Sequence, residues 1–156
     1  SFMDAPCGDF FWMSKTDLPV DKYYGVDIVE DVIKENIASY SATGRVFLQR
    51  NLTKDDLPRA DVVLCRDCLV HLSFKQSFNI IKNFKASGSA YLLVTTFTGR
   101  NKNLDLRNRF WRPLNLERPP FNFPKPIKLI NENCTEGDGK FADKCLGLWS
   151  LESIQL

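Results

Sequence analysis

Up to Phe97 the chain alternates short apolar runs with segments of helical period. Phe2-Met3 leads into Asp4, and Tyr23-Tyr24-Gly25-Val26 leads into Asp27; both read as strands closed by an acid. Between them, Phe10 to about Ser14 is predicted to start a helix. Val29 to Tyr40 has apolar residues at 29, 32, 33 and 37, which is helical spacing. Gly44 breaks the chain, and Val46 to Gln49 reads as a short strand. Asp61-Val62-Val63-Leu64-Cys65 is the unbroken apolar run of a buried parallel strand. Ser73, with Gln76 three residues later, forms a capping box. Phe74, Phe78, Ile81 and Phe84 continue that helix as a stripe until Ser87-Gly88, and Ala90 to Phe97 returns to a strand.

Such alternation predicts a parallel sheet with right-handed crossovers. The pattern stops at Thr98: from there to Pro126 the chain carries five prolines and little periodicity. A loop of that length inside one domain is usually functional. Ile127 to Asn131 and Cys145 to Leu151 then read as strands joined through Gly137-Asp138-Gly139, an antiparallel hairpin added to the sheet. The expected architecture is α/β, Rossmann-like and doubly wound. It has a mostly parallel seven-strand sheet with an antiparallel C-terminal hairpin, flanked by helices. A single domain over 1–156 is expected, with further N-terminal residues preceding the first strand.

Composition excludes some functions. No apolar run approaches the roughly 20 residues that span a bilayer, so no membrane partner is expected. The five cysteines are odd in number and no leader precedes them, which fits reduced thiols in a cytoplasmic protein. Cys65-Arg66-Asp67-Cys68 with His71 lacks the fourth ligand of a zinc site, so its thiols read as strand-end residues and no metal is expected. The net charge of +2 gives little attraction to nucleic acid. Charge is uneven, however: from Thr98 to Lys128 there are eight bases against two acids. Within that loop Arg107, Arg109, Trp111 and Arg112 combine guanidinium forks with an aromatic wall, which fits a small, anionic or sugar-like acceptor. Base stacking on the aromatics, or a solvated loop folded back onto the sheet edge, are the competing readings.

The chemistry concentrates at the strand ends. In an open α/β sheet, ligands bind at the carboxyl ends of the strands. The turn Asp4-Ala5-Pro6-Cys7-Gly8-Asp9-Phe10 lacks the G-x-G-x-x-G of a dinucleotide site, and no P-loop is present. Asp27 lies at the end of the second strand, where an acid can accept from both ribose hydroxyls. Two acids without a phosphate cradle suit an adenosyl ligand carrying hydroxyl and ammonium donors, and S-adenosylmethionine is the leading one.

On these residues the chain resembles the class I S-adenosylmethionine-dependent methyltransferases over nearly its whole length. Asp4-Ala5-Pro6-Cys7-Gly8-Asp9 is similar to the D-x-G-x-G-x-G turn, with Pro6 and Phe10 standing where the motif has glycines. Gly25-Val26-Asp27 resembles the ribose-binding acid motif, and Arg50-Asn51-Leu52 sits where Gly-Asp-Ala often lies beside adenine. Asp61 to Asp67 resembles the fourth motif, followed by Leu69-Val70-His71-Leu72, similar to L-x-H-L. The resemblance implies cofactor contacts from Asp4, Ala5, Pro6, Cys7, Gly8, Asp27, Ile28, Asn51, Leu52, Cys65 and Arg66. It implies in-line methyl transfer, with Asp67 and His71 as the groups able to act as base. The [DN]-P-P-[YF] signature of amino-group methyltransferases is replaced by Arg66-Asp67-Cys68-Leu69, which favours an oxygen acceptor. A non-catalytic methyltransferase-like module and a nicotinamide-dependent oxidoreductase are the alternatives.

Overall fold

The computed structural model describes residues 1–106 and 110–156. The chain runs β1 (Phe2–Asp4), β2 (Tyr23–Asp27), α1 (Glu30–Tyr40), β3 (Arg45–Gln49), β4 (Val62–Cys65), α2 (Phe74–Ala86), β5 (Tyr91–Phe97), β6 (Lys128–Asn131) and β7 (Lys144–Ser150). These form one seven-stranded sheet in the order β3-β2-β1-β4-β5-β7-β6. Strands β1 to β5 are parallel, and β7 runs antiparallel to both β5 and β6. The doubly wound sheet with its reversed final pair is the predicted architecture. Because β1 lies between β2 and β4, the chain departs to opposite sides from the β1/β4 boundary, which is the switch point where such sheets take ligands.

One expected element is absent. The stretch from Phe10 forms no α-helix, only a 3-10 turn over Met13–Lys15. Local side chains compete for its backbone: Phe11 N donates to Asp9 Oδ1, and Ser14 Oγ donates to the Phe11 carbonyl. Phe10 itself turns inward with φ +58°. Its ring packs edge-on against Tyr23, Tyr40 and Phe47 at 5.1, 5.1 and 5.2 Å, with the Arg45 guanidinium 4.8 Å from its centroid. Burying such a ring stabilises by about 2–3 kcal/mol, against about 1–2 kcal/mol for a left-handed backbone. The side chain therefore offsets the strain at a position where the related motif has glycine. Gly25 serves the same layer: a Cβ there would stand 2.5 Å from the Phe47 ring.

The α1 stripe also differs from the periodicity. Ile33 is buried, but Val29 and Ile37 are about half exposed and Asn36 is buried in their stead. Helix α2 follows its pattern and carries the predicted capping box between Ser73 and Gln76. Its Ile80, Ile81 and Phe84 meet Val63, Leu92, Val94 and Trp149 from the sheet.

The long connection from β5 to β6 is not a solvated basic loop. Leu114, Leu116, Phe121 and Phe123 are all within the core. Phe121 contacts Phe74 and Phe78 of α2, and the Trp149 indole donates to the Pro124 carbonyl. This segment covers the sheet face where a crossover helix would otherwise lie. Arg112, expected at the acceptor site, is instead 4% exposed and inside this packing. Its guanidinium donates to the carbonyls of Leu104, Leu69 and Leu72, and lies over the Phe74 ring. That correction follows from carbonyl geometry: a planar fork reaches three main-chain acceptors at once, one in its own segment and two in the turn after β4. Arg112→Met should therefore lower unfolding free energy by about 3 kcal/mol in a denaturant titration, and Arg112→Lys should recover little of it, because one ammonium cannot reach all three carbonyls.

Candidate active site

The turn after β1 is held by side chains from β2 and α1. Gly8 N donates to Asp27 Oδ2 at 3.1 Å, and the Asn36 amide donates to the Gly8 carbonyl at 2.7 Å. Asp27 Oδ1 accepts from Val29 N at 3.0 Å, at the entrance to α1. Each Asp27 oxygen thus keeps lone-pair capacity for a further donor such as a ribose hydroxyl. Gly8 has φ +54°, and a Cβ there would meet nothing within 4 Å, so the turn faces open space. Ala5 and Cys7 are buried beneath it, with Pro6 half-buried between them.

Asp4 plays a different part from the one expected. It is 2% exposed and accepts from the Tyr23 hydroxyl at 2.9 Å. Burial pushes its carboxyl up to about 7, the Tyr23 hydrogen bond and the Arg66 charge only partly opposing the shift. It underlies the turn, where its carboxyl group meets the Tyr23 hydroxyl. The same burial, with the charges of Asp4 and Asp27, pushes the Cys7 thiol up to about 12.

Beside Asp27, a cavity of about 400 Å³ is lined by Ile28, Gln49, Arg50, Asn51, Lys54 and Asp55. Ile28 is 58% exposed and offers an apolar face. Asn51 Oδ1 is occupied by the backbone N–H and hydroxyl of Thr53, while its main-chain N–H goes to Asp55. That leaves the Asn51 Nδ2 donors available to a ring nitrogen. Leu52, expected at this site, is buried in the core behind it.

A second cavity of about 410 Å³ opens beyond β4, lined by Arg66, Asp67, His71, Phe97, Trp111, Cys134, Glu136, Phe141 and Lys144. Asp67 adopts φ +51°, and its N–H donates to Thr95 Oγ1. Non-glycine residues in this region concentrate at functional sites. Lys144 Nζ donates to Asp67 Oδ2 at 2.7 Å and stands 3.6 Å from Glu132 Oε2; Arg66 Nε donates to Glu132 Oε1 at 2.7 Å. Burial pulls the Lys144 pKa down, but the hydrogen bond to Asp67 and the charges of Asp67 and Glu132 outweigh it and leave it raised. The Arg66 guanidinium also lies 5.4 Å from the Trp12 ring centroid. His71 is exposed, and its Nδ1 is 2.8 Å from the Phe110 carbonyl. A carbonyl only accepts, so Nδ1 carries the proton there, and Nε2 is the ring nitrogen left to take a proton.

The structure therefore brings together Asp27, Ile28, Asn51 and Gly8 on one side, and Arg66, Asp67, His71 and Trp111 on the other. Arg107 and Arg109 lie outside the described residues. Cys65 is fully buried, and its hydrogen bond to Cys68 together with that burial pushes its thiol well above the ordinary range, leaving it a packing residue. Among the described residues no group of three or more His, Cys, Asp or Glu is placed to hold a metal ion, and no helix is long and apolar enough to cross a membrane. Asn36, Glu132, Phe141 and Lys144 were not legible as site residues. Only Asn36 gave a signal, as a polar residue three positions after Ile33 on the helix.

Because the Asp4 pKa is raised on folding, its protonated form favours the native state and this stability is lost as pH rises from about 4 through about 7. Asp4→Asn should remove that slope: the variant should gain on the wild type by on the order of 4 kcal/mol across this window in pH-dependent unfolding.

No protein-family model matches the chain, and no curated protein does. Solved structures do. The bacterial CtHen1-CN methyltransferase domain superposes with TM-score 0.67 at 16% identity, covering 96% of this chain and 89% of that one. CalO1, a methyltransferase in calicheamicin biosynthesis solved with S-adenosylhomocysteine, gives TM-score 0.65 at 12% identity, covering 94% and 47%. Human N-acetylserotonin methyltransferase, solved with S-adenosylmethionine, gives 0.53 at 19% identity, covering 66% and 32%. The chain spans about a third of that human enzyme's length. With a seven-stranded sheet in this order and ligand-sized cavities at its carboxyl edge, the chain has the fold of the class I methyltransferases.

Proposed function

We propose that residues 1–156 form a single S-adenosylmethionine-dependent methyltransferase domain that methylates a small molecule on oxygen. The observation that carries this reading is the pairing of two cavities around the β1/β4 switch point, one beside Asp27 and Asn51 and the other beside Asp67 and His71. Asp27 would accept from the ribose hydroxyls, while Ile28 and the Asn51 amide would hold adenine. The buried Asp4, the Gly8 turn and Arg66 would border the methionine portion. When bound, the cofactor supplies an electrophilic methyl group on a sulfonium. The chain supplies alignment, exclusion of water by the Trp111–Phe141 side, and a proton acceptor.

His71 fits that last task better than Asp67. The Phe110 carbonyl engages Nδ1 and leaves Nε2 as the ring nitrogen that can take a proton, whereas Asp67 is held in an ion pair with Lys144. The left-handed backbone at Phe10 keeps the first turn's glycine-like form. This favours a competent cofactor site over a non-catalytic module.

Calorimetry with S-adenosylhomocysteine tests the cofactor half, with a dinucleotide as control. Micromolar binding is expected, with Asp27→Ala weakening it by about 10²-fold or more, the scale of losing charge-assisted hydrogen bonds. Absence of binding by the wild type would sink the reading. His71→Ala should leave that affinity in place while lowering turnover by about 10²–10⁴-fold, measured with any acceptor that is methylated.

A further inference from the structure

The cavity beyond Asp67 presents three kinds of surface to its occupant. Trp111 and Phe141 pack edge to face with centroids 5.0 Å apart, and Phe97 meets them at 5.8 and 6.1 Å, giving an aromatic wall. Lys144 contributes a cation on a side chain only 11% exposed. One of its N–H groups goes to Asp67; the Glu132 Oε2 atom at 3.6 Å is beyond hydrogen-bond range and has no partner among the described residues. Lys144 therefore retains donor capacity at the cavity. His71 contributes the opposite function, an acceptor at Nε2.

A cationic donor and a ring nitrogen able to take a proton, lining one cavity, match a group that both accepts and donates, which is a hydroxyl. A carboxylate has no proton for His71 and would add an anion to Asp67 and Glu136 on the lining, with Glu132 behind Lys144. An ammonium would find Asp67 and Glu136 as well as Arg66 and Lys144 on the lining, but it has no lone pair to accept from Lys144. Among hydroxyls, one on an aromatic ring suits the wall, and its pKa near 10, like that of a tyrosine side chain, is within reach of a base helped by a nearby cation. Sugar hydroxyls are far weaker acids.

Resting on the methyltransferase reading above, we propose that the acceptor is a planar aromatic hydroxyl compound. Its ring lies against Trp111, Phe97 and Phe141, and its oxygen sits between Lys144 Nζ and His71 Nε2. The acceptor O–H bond breaks with its proton passing to Nε2; the oxygen pair forms the new bond to the methyl carbon; and the departing carbon–sulfur pair stays on sulfur. Lys144 is the group that stabilises the developing oxyanion, a use of preorganised charge where negative charge builds.

The test uses the full chain with S-adenosylmethionine and four probe classes: a series of substituted phenols, benzoate, benzylamine and a methyl glycoside. Product formation is expected only with the phenols. Lys144→Met should lower kcat/KM for phenol by about 10²-fold. The loss should shrink as the phenols become more acidic, so that the dependence of rate on acceptor pKa steepens. Lys144→Arg keeps the cation and the ion pair to Asp67 and should retain most activity; Lys144→Gln, which keeps a donor to Asp67 without the charge, carries the comparison if the methionine variant fails to fold. Methylation of benzoate, benzylamine or the glycoside in preference to phenols overturns the proposal. So does an unchanged dependence on acceptor acidity in Lys144→Met or Lys144→Gln, or binding of S-adenosylhomocysteine without turnover of any phenol. Failure to bind S-adenosylhomocysteine at all would instead overturn the underlying reading.

Discussion

The Asp27 carboxylate is the contact on which the site depends. It accepts from Gly8 N at the end of one strand's turn and from Val29 N at the start of the next helix. Asn36 completes the clasp by donating to the Gly8 carbonyl from the buried face of α1. Two adjacent parallel strands would otherwise end in unconnected loops. The clasp sets their separation and leaves the turn open toward solvent. Charge-assisted hydrogen bonds of this kind contribute about 1.5–3 kcal/mol each, enough to hold a short turn in one form.

Beneath the clasp lies a layer that a motif comparison would not anticipate. Phe10, Tyr23, Tyr40 and Phe47 pack edge to face on the α1 side of the sheet, and Tyr23 also donates to the buried Asp4. The first turn is anchored from below by an aromatic side chain at a place where related turns rely on glycine. Strain in the backbone at Phe10 and burial of its ring are thus two sides of one arrangement.

On the other flank, three aromatic rings line the second cavity and four charges are coupled at its edge. Arg66, Asp67, Glu132 and Lys144 come from the ends of β4, β6 and β7, so the antiparallel pair brings the Lys144 ammonium to the β4 end. The β5–β6 connection supplies Trp111, and Arg112 pins that connection to the turn around Leu69 to Leu72. An irregular segment becomes a fixed wall because its guanidinium and apolar side chains are buried together.

Periodicity and strand-end acids made the seven-strand architecture, the Ser73 cap and the Asp27 position legible, because these rest on local hydrogen bonding and on burial of one face. The placement of Asp67 and His71 after β4 followed from the same logic, whereas Asn51 entered only through the family resemblance. Tertiary contacts decided the rest. Arg112 and Trp111 are neighbours in sequence, yet one enters the core and the other faces a cavity, a choice made by the three carbonyls that the Arg112 guanidinium reaches. The stretch after Phe10 gave up its helix because the ring found a buried partner layer. Lys144 carries no local signal at all, since its neighbours Asp67 and Glu132 are brought to it only when β7 inserts between β5 and β6. Local chemistry is written in the chain, whereas long-range pairing of charges depends on which strands the sheet places side by side.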